Sequence, residues 1–270
     1  MTRTREAGDM MRDFMAAVAA MCLLCLAVNA AESEKGTAQR TKARVLLVTG
    51  IDYPGHVWKQ TAPVLADALR KDPRLEVFTV EDPAFLDSAA IHTYQVVILH
   101  FQTWEQPGPG EPARENLRRF VAGGKGMVLV HFACGAWHNE WPEFEKIAGR
   151  VWFGQDPGPG KRQHDPYGSF RVEFPEPVNA IVQGMTPFDT QDELYTCLTG
   201  THPIEIIAHA KSKVDGKYYP MAFISKYGQG RTFHSVLGHD VKALSTPGVQ
   251  ELYRRGCAWA AGLPPQQPLR

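Results

Sequence analysis

The chain has 270 residues, with 29 basic and 29 acidic side chains, so it carries no net charge when histidine is neutral. That balance excludes the strong positive field that draws proteins onto nucleic acid or anionic membranes. An apolar share of 44% is that of an ordinary globular protein.

The first segment reads apart from the rest. Arg3, Arg5 and Arg12 precede an apolar run from Phe14 to Val28, and Val28-Asn29-Ala30 puts small residues where a signal peptidase needs them. The run is short for a bilayer span, which takes about 20 apolar residues. Leu24 stands directly before Cys25, where a lipoprotein would carry a small residue. Residues 1–30 are therefore expected to be an export signal, giving a periplasmic or secreted protein with no stable membrane insertion after cleavage. Residues 31–43 are polar and aperiodic and read as a flexible leader. What remains, roughly 240 residues, suffices for one large α/β domain, expected over residues 44–263, with a tail at 264–270. Cleavage also removes Cys22 and Cys25 and leaves Cys134, Cys197 and Cys257. That set is too sparse for a disulfide framework, though one bridge within it stays open.

Strands and helices then alternate. Arg44 to Thr49 (RVLLVT) reads as a buried strand closed by Gly50, and Trp58 to Lys71 as a helix with Val64, Leu65, Ala68 and Leu69 on its apolar stripe. Leu75 to Val80 and Gln95 to His100 are the next strands. A Pro/Gly-rich loop leads to a helix over Pro112 to Ala122, stopped by Gly123-Gly124, and Met127 to His131 is the fourth strand. Nearly continuous apolar strands separated by helices predict a parallel sheet covered on both faces, in a three-layer, flavodoxin-like arrangement. The second half is richer in strands: Ser169–Phe174, Glu193–Leu198, Pro203–Ala208, Met221–Lys226 and Arg231–Leu237. The turn Tyr227-Gly228-Gln229-Gly230 joins the last two, which predicts an antiparallel extension of the sheet. A closing helix is expected from Val249 to Ala261.

Ligands of open parallel sheets bind outside the carboxyl ends of the strands, and reactive side chains gather there. His56 follows the first strand, His100 the third, His131 the fourth and His239 the last, while His164 lies in the loop RQHDPYGSF. A lone histidine is usually a structural donor, but several at one kind of topological position would project into a single crevice. There, neutral imidazoles suit metal ligation or proton transfer. No pair has a compact zinc spacing such as HExxH. In Asp192-Glu193-Leu194-Tyr195, placed at the start of a strand, the two carboxylates should face opposite ways. Glu193 is the better base or ligand, because Tyr195 shares its face. Asp240 either orients His239 or caps the following turn. Trp104, Trp137, Trp141, Trp152 and Phe153 fall in the segments after the third and fourth strands, where indole faces can stack on sugar rings.

Cys134 sits after a strand and turn much as the nucleophile does in class I glutamine amidotransferases. Phe132 and Ala136, however, replace the flanking glycines, and Val241 stands where an acid should follow the histidine. A small, buried, inert cysteine is the simpler reading. Taken together, Gly55-His56, the strand ending in His131, the loop His164 to Phe170 and Asp192-Glu193-Leu194-Tyr195 form a recognisable set. So do Tyr227 to Arg231, Leu237 to Asp240 and Arg255 to Gly262. In them the chain resembles the ThuA-like (trehalose utilisation) family over about residues 43–263. The resemblance implies a class I glutamine amidotransferase-like fold and a role around glycosides oxidised at carbon 3 of a glucosyl ring, alongside sugar dehydrogenases.

The reading that follows is an exported carbohydrate-active lyase, hydrolase or isomerase. His131, Glu193 and His239 would transfer protons, or hold a divalent metal that polarises the substrate carbonyl. His56, His164, Tyr195 and Asp240 would line the same pocket, with Trp104 and Trp137 stacking on a small carbohydrate. Two alternatives stay open: a non-catalytic sugar-binding module, and a hydrolase with Cys134 as nucleophile and His239 as base.

Overall fold

Strands with apolar side chains on both sides need cover on both faces, and that requirement organises this molecule. In the computed structural model, which describes residues 42–152 and 163–267, the elements run in the following order. β1 (Ala43–Val48), α1 (Trp58–Arg70), β2 (Leu75–Val80), β3 (Val96–Leu99), α2 (Glu111–Ala122), β4 (Gly126–Val130) and α3 (Glu143–Ala148) make up the first half. β5 (Gly168–Val172), β6 (Phe188–Asp192), β7 (Glu205–Lys211), β8 (Tyr218–Tyr227), β9 (Gly230–Ser235), α4 (Val241–Leu244) and α5 (Pro247–Ala260) follow. The expected export signal, nearly all of the leader, Phe153 and the last three residues lie outside the described residues. No helix among the described residues is long and apolar enough to cross a membrane.

Seven strands form one sheet in the order β2-β1-β3-β4-β9-β8-β7. β2, β1, β3, β4 and β9 are parallel, while β8 and β7 continue the sheet antiparallel. The alternation of side chains along each strand divides the core in two. Val45, Leu47, Ile98, Val128 and Val130 pack with Leu65 and Leu69 of α1 and Leu252 of α5. Leu46, Val48, Val97, Leu99, Met127 and Leu129 pack with Leu117, Phe120 and Val121 of α2. The result is the expected three-layer α/β class with an antiparallel extension. Strand order reverses between β1 and β3, and the crevice beyond their carboxyl ends is the natural place for a ligand.

Several boundaries differ from the sequence reading. The segment expected as a strand over Glu193–Leu198 is irregular, touched only by an isolated bridge from His164 to Tyr195, with a second from Val151 to Thr199 just past it. The strand lies just before it, in β6, which pairs with β5 as a separate two-stranded sheet. β6 (FDTQD) is polar because it is half of a ribbon with an exposed face, so no apolar alternation marks it. Asp192 and Glu193 thus end a strand and do not begin one. β7 runs three residues further than expected, to Lys211, and β8 starts earlier, at Tyr218, because Tyr218 and Tyr219 pair with Lys211 and Ala210. α3 and α4 are both additional to the expected helices. No disulfide forms among the described cysteines, and Cys134 and Cys257 are buried thiols.

The hairpin joining β8 to β9 packs directly on the end of α2. A Cβ on Gly230 would stand 2.0 Å from the carbonyl oxygen of Val121, and one on Gly228, at φ +58°, 2.7 Å from that of Ala122. Both obstacles are backbone and cannot swing away. Gly230→Ala should therefore cost about 1–3 kcal/mol of stability in equilibrium urea unfolding. Gly168→Ala, whose added methyl meets only Pro166 O at 3.6 Å, should stay within about 0.5 kcal/mol.

Candidate active site

The corner after β4 is strained. His131 follows Val130 directly and holds φ +45°, a left-handed conformation that costs a non-glycine residue roughly 1–3 kcal/mol and persists only where surroundings enforce it. The enforcing contact is visible: His131 Nδ1 lies 2.6 Å from the carbonyl oxygen of Val236, just past β9. A carbonyl only accepts, so Nδ1 carries the proton and Nε2 presents a lone pair. Tyr195 Oη stands 2.8 Å from that Nε2. Burial pushes the Tyr195 phenol well above its ordinary range, so Tyr195 keeps its proton and donates it to His131.

The strained residue of the corner is thus His131 and not Cys134, three residues later. Burial pushes the Cys134 thiol well up, the reverse of what a nucleophile needs. Cys134 lines a different hollow from His239, so the cysteine-hydrolase reading has no geometry to rest on.

Glu193 is the centre of the group. Its Oε2 lies 3.1 Å from His239 Nδ1 and 3.5 Å from His131 Nε2, and its Oε1 lies 3.7 Å from His164 Nε2. Burial alone would raise the Glu193 carboxyl, but His131 and His239 outweigh it and hold the group below the usual carboxylate range. Burial works against a proton on His239 too, yet the Glu193 carboxylate beside it raises that imidazole. His56 closes the other side, its ring 4.9 Å from that of His239 and 5.0 Å from that of His131. Burial, reinforced by those two imidazoles, drives His56 down to about 2, so it is neutral under ordinary conditions. One donor atom each from His56, His131, Glu193 and His239 lies within 4.8 Å of the others, the set among the described residues able to hold a metal ion.

His56, Glu193 and His239 border a hollow of about 350 Å³ whose wall also includes Tyr53, Trp104, Trp152, Gln163, His164 and Tyr195. Trp104 packs edge-on to Tyr53 and against Trp152, both at 5.3 Å between ring centres. It lies flat on Gly135, where a Cβ would come within 2.4 Å of the indole nitrogen.

Six of the expected residues therefore meet as foreseen with His131: Glu193, His239, His56, His164, Tyr195 and Trp104. Trp137 does not. It is buried, donates its indole N–H to Pro109 O at 2.7 Å, and packs on Phe101, Trp141 and Phe144, facing the neighbouring hollow beyond Trp152. Asp240 does not line the hollow either. It caps α4 by accepting from Ala243 N and takes the Tyr167 hydroxyl, the simpler of its two expected roles. His100 is fully buried between Thr49 and Thr61, bonded to both hydroxyls, and never reaches the crevice.

Sequence reasoning missed Tyr53, Gln163 and above all Asp192. The Asp192 carboxylate is fully buried and accepts from the backbone N–H groups of Glu193, Gly238 and His239 at 2.8, 2.7 and 3.1 Å. Burial still pushes its carboxyl above the usual value. The alternation rule sends Asp192 away from the site because it presumes a continuing strand. Asp192→Ala would leave three buried N–H groups without an acceptor. It should cost roughly 2–4 kcal/mol in urea unfolding, with Asp192→Asn recovering part of the loss.

Fold and site together define a three-layer α/β protein with a histidine–carboxylate centre at the carboxyl rim of its sheet. The chain belongs to the ThuA family, described as trehalose utilisation, whose sequence pattern matches residues 44–260. A ThuA-like protein of Parabacteroides merdae has a similar structure (TM-score 0.73, 26% identity), the match covering 84% of this chain and 93% of that one. A second, from Bacteroides uniformis, matches over 84% of this chain and 95% of its own (TM-score 0.63, 15% identity). Part of a β-galactosidase from Rahnella sp. R3 shares the fold, over 83% of this chain and 32% of that one (TM-score 0.56, 14% identity). No curated protein is significantly similar in sequence.

Proposed function

We propose that this protein processes carbohydrate by proton transfer, acting on glycosides oxidised to a ketone at carbon 3 of a glucosyl ring. One observation carries the reading: the half-buried carboxylate of Glu193 meets the imidazoles of His131 and His239 beside a hollow walled by Trp104, Trp152 and Tyr195. Membership of a trehalose-utilisation family supports the substrate class, and aromatic walls beside polar groups suit a pyranose.

The chemistry follows from the ketone. A carbonyl at carbon 3 acidifies the hydrogen on carbon 2. Glu193, held ionised by its histidine neighbours, is placed to accept that proton. The electron pair of the broken C–H bond passes to the carbonyl oxygen as an enediolate, which needs an electrophile or donor beside it. Collapse of the enediolate can expel the substituent on carbon 1, whose oxygen takes a proton from an acid on the wall of the hollow, which His164 lines. Return of the proton to the opposite face of carbon 2 would invert that centre instead. Both outcomes share the first step and the same residues. With residues 1–30 read as an export signal, the substrate would be met outside the cytoplasm.

Turnover of a 3-keto-disaccharide should fall at least about 100-fold in His131→Ala and in Glu193→Gln, the scale of a lost general base. Trp104→Ala should mainly raise KM. Full turnover in both of the first two variants would remove these residues from the reaction. Binding of the sugar by the native protein without any turnover would leave a sugar-binding module.

A further inference from the structure

We infer that His56, His131, Glu193 and His239 hold one divalent first-row transition ion, and that Tyr195 gives up its hydrogen bond to His131 when the ion enters. The inference builds on the reading of this hollow as the reactive centre and supplies the electrophile which that chemistry requires. It does not depend on the identity of the sugar.

Four features support it. First, the donors converge, with one atom from each residue within 4.8 Å of the rest. Donors around a tetrahedral ion with bonds of about 2.1 Å stand about 3.4 Å apart, so closure draws the widest pairs in by up to about 1.4 Å. Second, the four residues come from separate segments, after β1, β4, β6 and β9, and the two most buried, His56 and His131, are 5% and 0% exposed. Third, His131 has the second contact typical of a ligating histidine, its far nitrogen held by a backbone carbonyl, so that Nε2 faces inward. Fourth, His56 and His239 each bury an Nδ1 with no hydrogen-bond partner. His239 Nδ1 is close to Glu193 at 3.1 Å but out of line for a hydrogen bond. Buried imidazole nitrogens left unsatisfied are costly, and an ion at this point would engage the cluster.

Three imidazole nitrogens and one carboxylate oxygen make a borderline donor set. It suits ions of the manganese-to-zinc series, not calcium or magnesium, which take oxygen cages, and not ions that demand thiolate. The bound ion would lie beside the space where a ketone oxygen and its neighbouring hydroxyl can approach.

Tyr195 is the part that could not be anticipated from the donor set. The lone pair on His131 Nε2 now accepts the Tyr195 hydroxyl at 2.8 Å, and one lone pair cannot serve both a phenol and an ion. Metal entry therefore releases the hydroxyl into the hollow that Tyr195 already lines. The ion takes one carboxylate oxygen of Glu193, which leaves the other to accept the proton from carbon 2.

The test uses the full chain, stripped with a chelator and titrated with Zn²⁺ or Co²⁺. The native protein should take up one equivalent of Zn²⁺, melt at a higher temperature with it, and give visible d–d absorption with Co²⁺. Glu193→Gln and His239→Ala should each weaken Zn²⁺ binding at least about tenfold, with metal-free melting curves like that of the native protein. Tyr195→Phe removes a competitor and should bind Zn²⁺ about fivefold more tightly, the worth of one hydrogen bond. Substoichiometric uptake, or full uptake by a Glu193→Gln/His239→Ala double variant, overturns the site. Weaker binding by Tyr195→Phe overturns the exchange. Stoichiometric Zn²⁺ without turnover of any 3-keto-disaccharide would leave the metal and remove the reaction, and full turnover by metal-free protein would do the reverse.

Discussion

One buried carboxylate decides whether the site exists. Asp192 ends β6 in the small sheet and takes N–H groups from Glu193, Gly238 and His239. It thereby fastens that sheet to the backbone emerging from β9 in the large one. Without this contact Glu193 and His239 would belong to two loops with no fixed relation. With it, their side chains stand 3.1 Å apart. Burying an ionisable group carries a desolvation penalty, and three backbone donors offset it here while fixing direction as well as distance.

A second constraint acts on the other side of the hollow. The backbone past β9 also supplies Val236 O to His131 Nδ1, and its Ser235 and Leu237 carbonyls both accept the Tyr253 hydroxyl from α5. The segment from Ser235 to His239 is therefore a frame bonded on three sides. It holds His131 in its strained conformation and sets which imidazole nitrogen is bare. Strain at the end of a strand is a device by which α/β enzymes present a reactive side chain. Here the device presents an imidazole, and the nearby thiol is left buried.

The parallel half of the sheet was legible because its strands are apolar on both faces and its helices carry ordinary stop signals. β2 is found over the residues expected, and α2 differs by one. The convergence of His56, His131 and His239 was legible for a topological reason: residues just past parallel strands share one rim, which Glu193 joins from the separate β5–β6 ribbon. The same argument failed for His100, whose loop places it behind Thr49 and Thr61 instead of beyond them. It failed for Trp137 because a left-handed φ of +49° turns the chain, and the indole packs into the second core layer. Asp192 escaped notice because its role is fixed by three backbone N–H groups, and backbone donors leave no trace in side-chain patterns. β6 escaped because a ribbon with one wet face needs no apolar run.

The proposed reaction begins with removal of a proton from a carbon beside a sugar ketone at the Glu193 centre. Nuclear magnetic resonance of a 3-keto-disaccharide incubated with the protein in heavy water reads that event directly. Deuterium should appear at carbon 2 of the oxidised ring at a rate set by the amount of protein. Conversion of the sugar with protium fully retained at every ring carbon would contradict it.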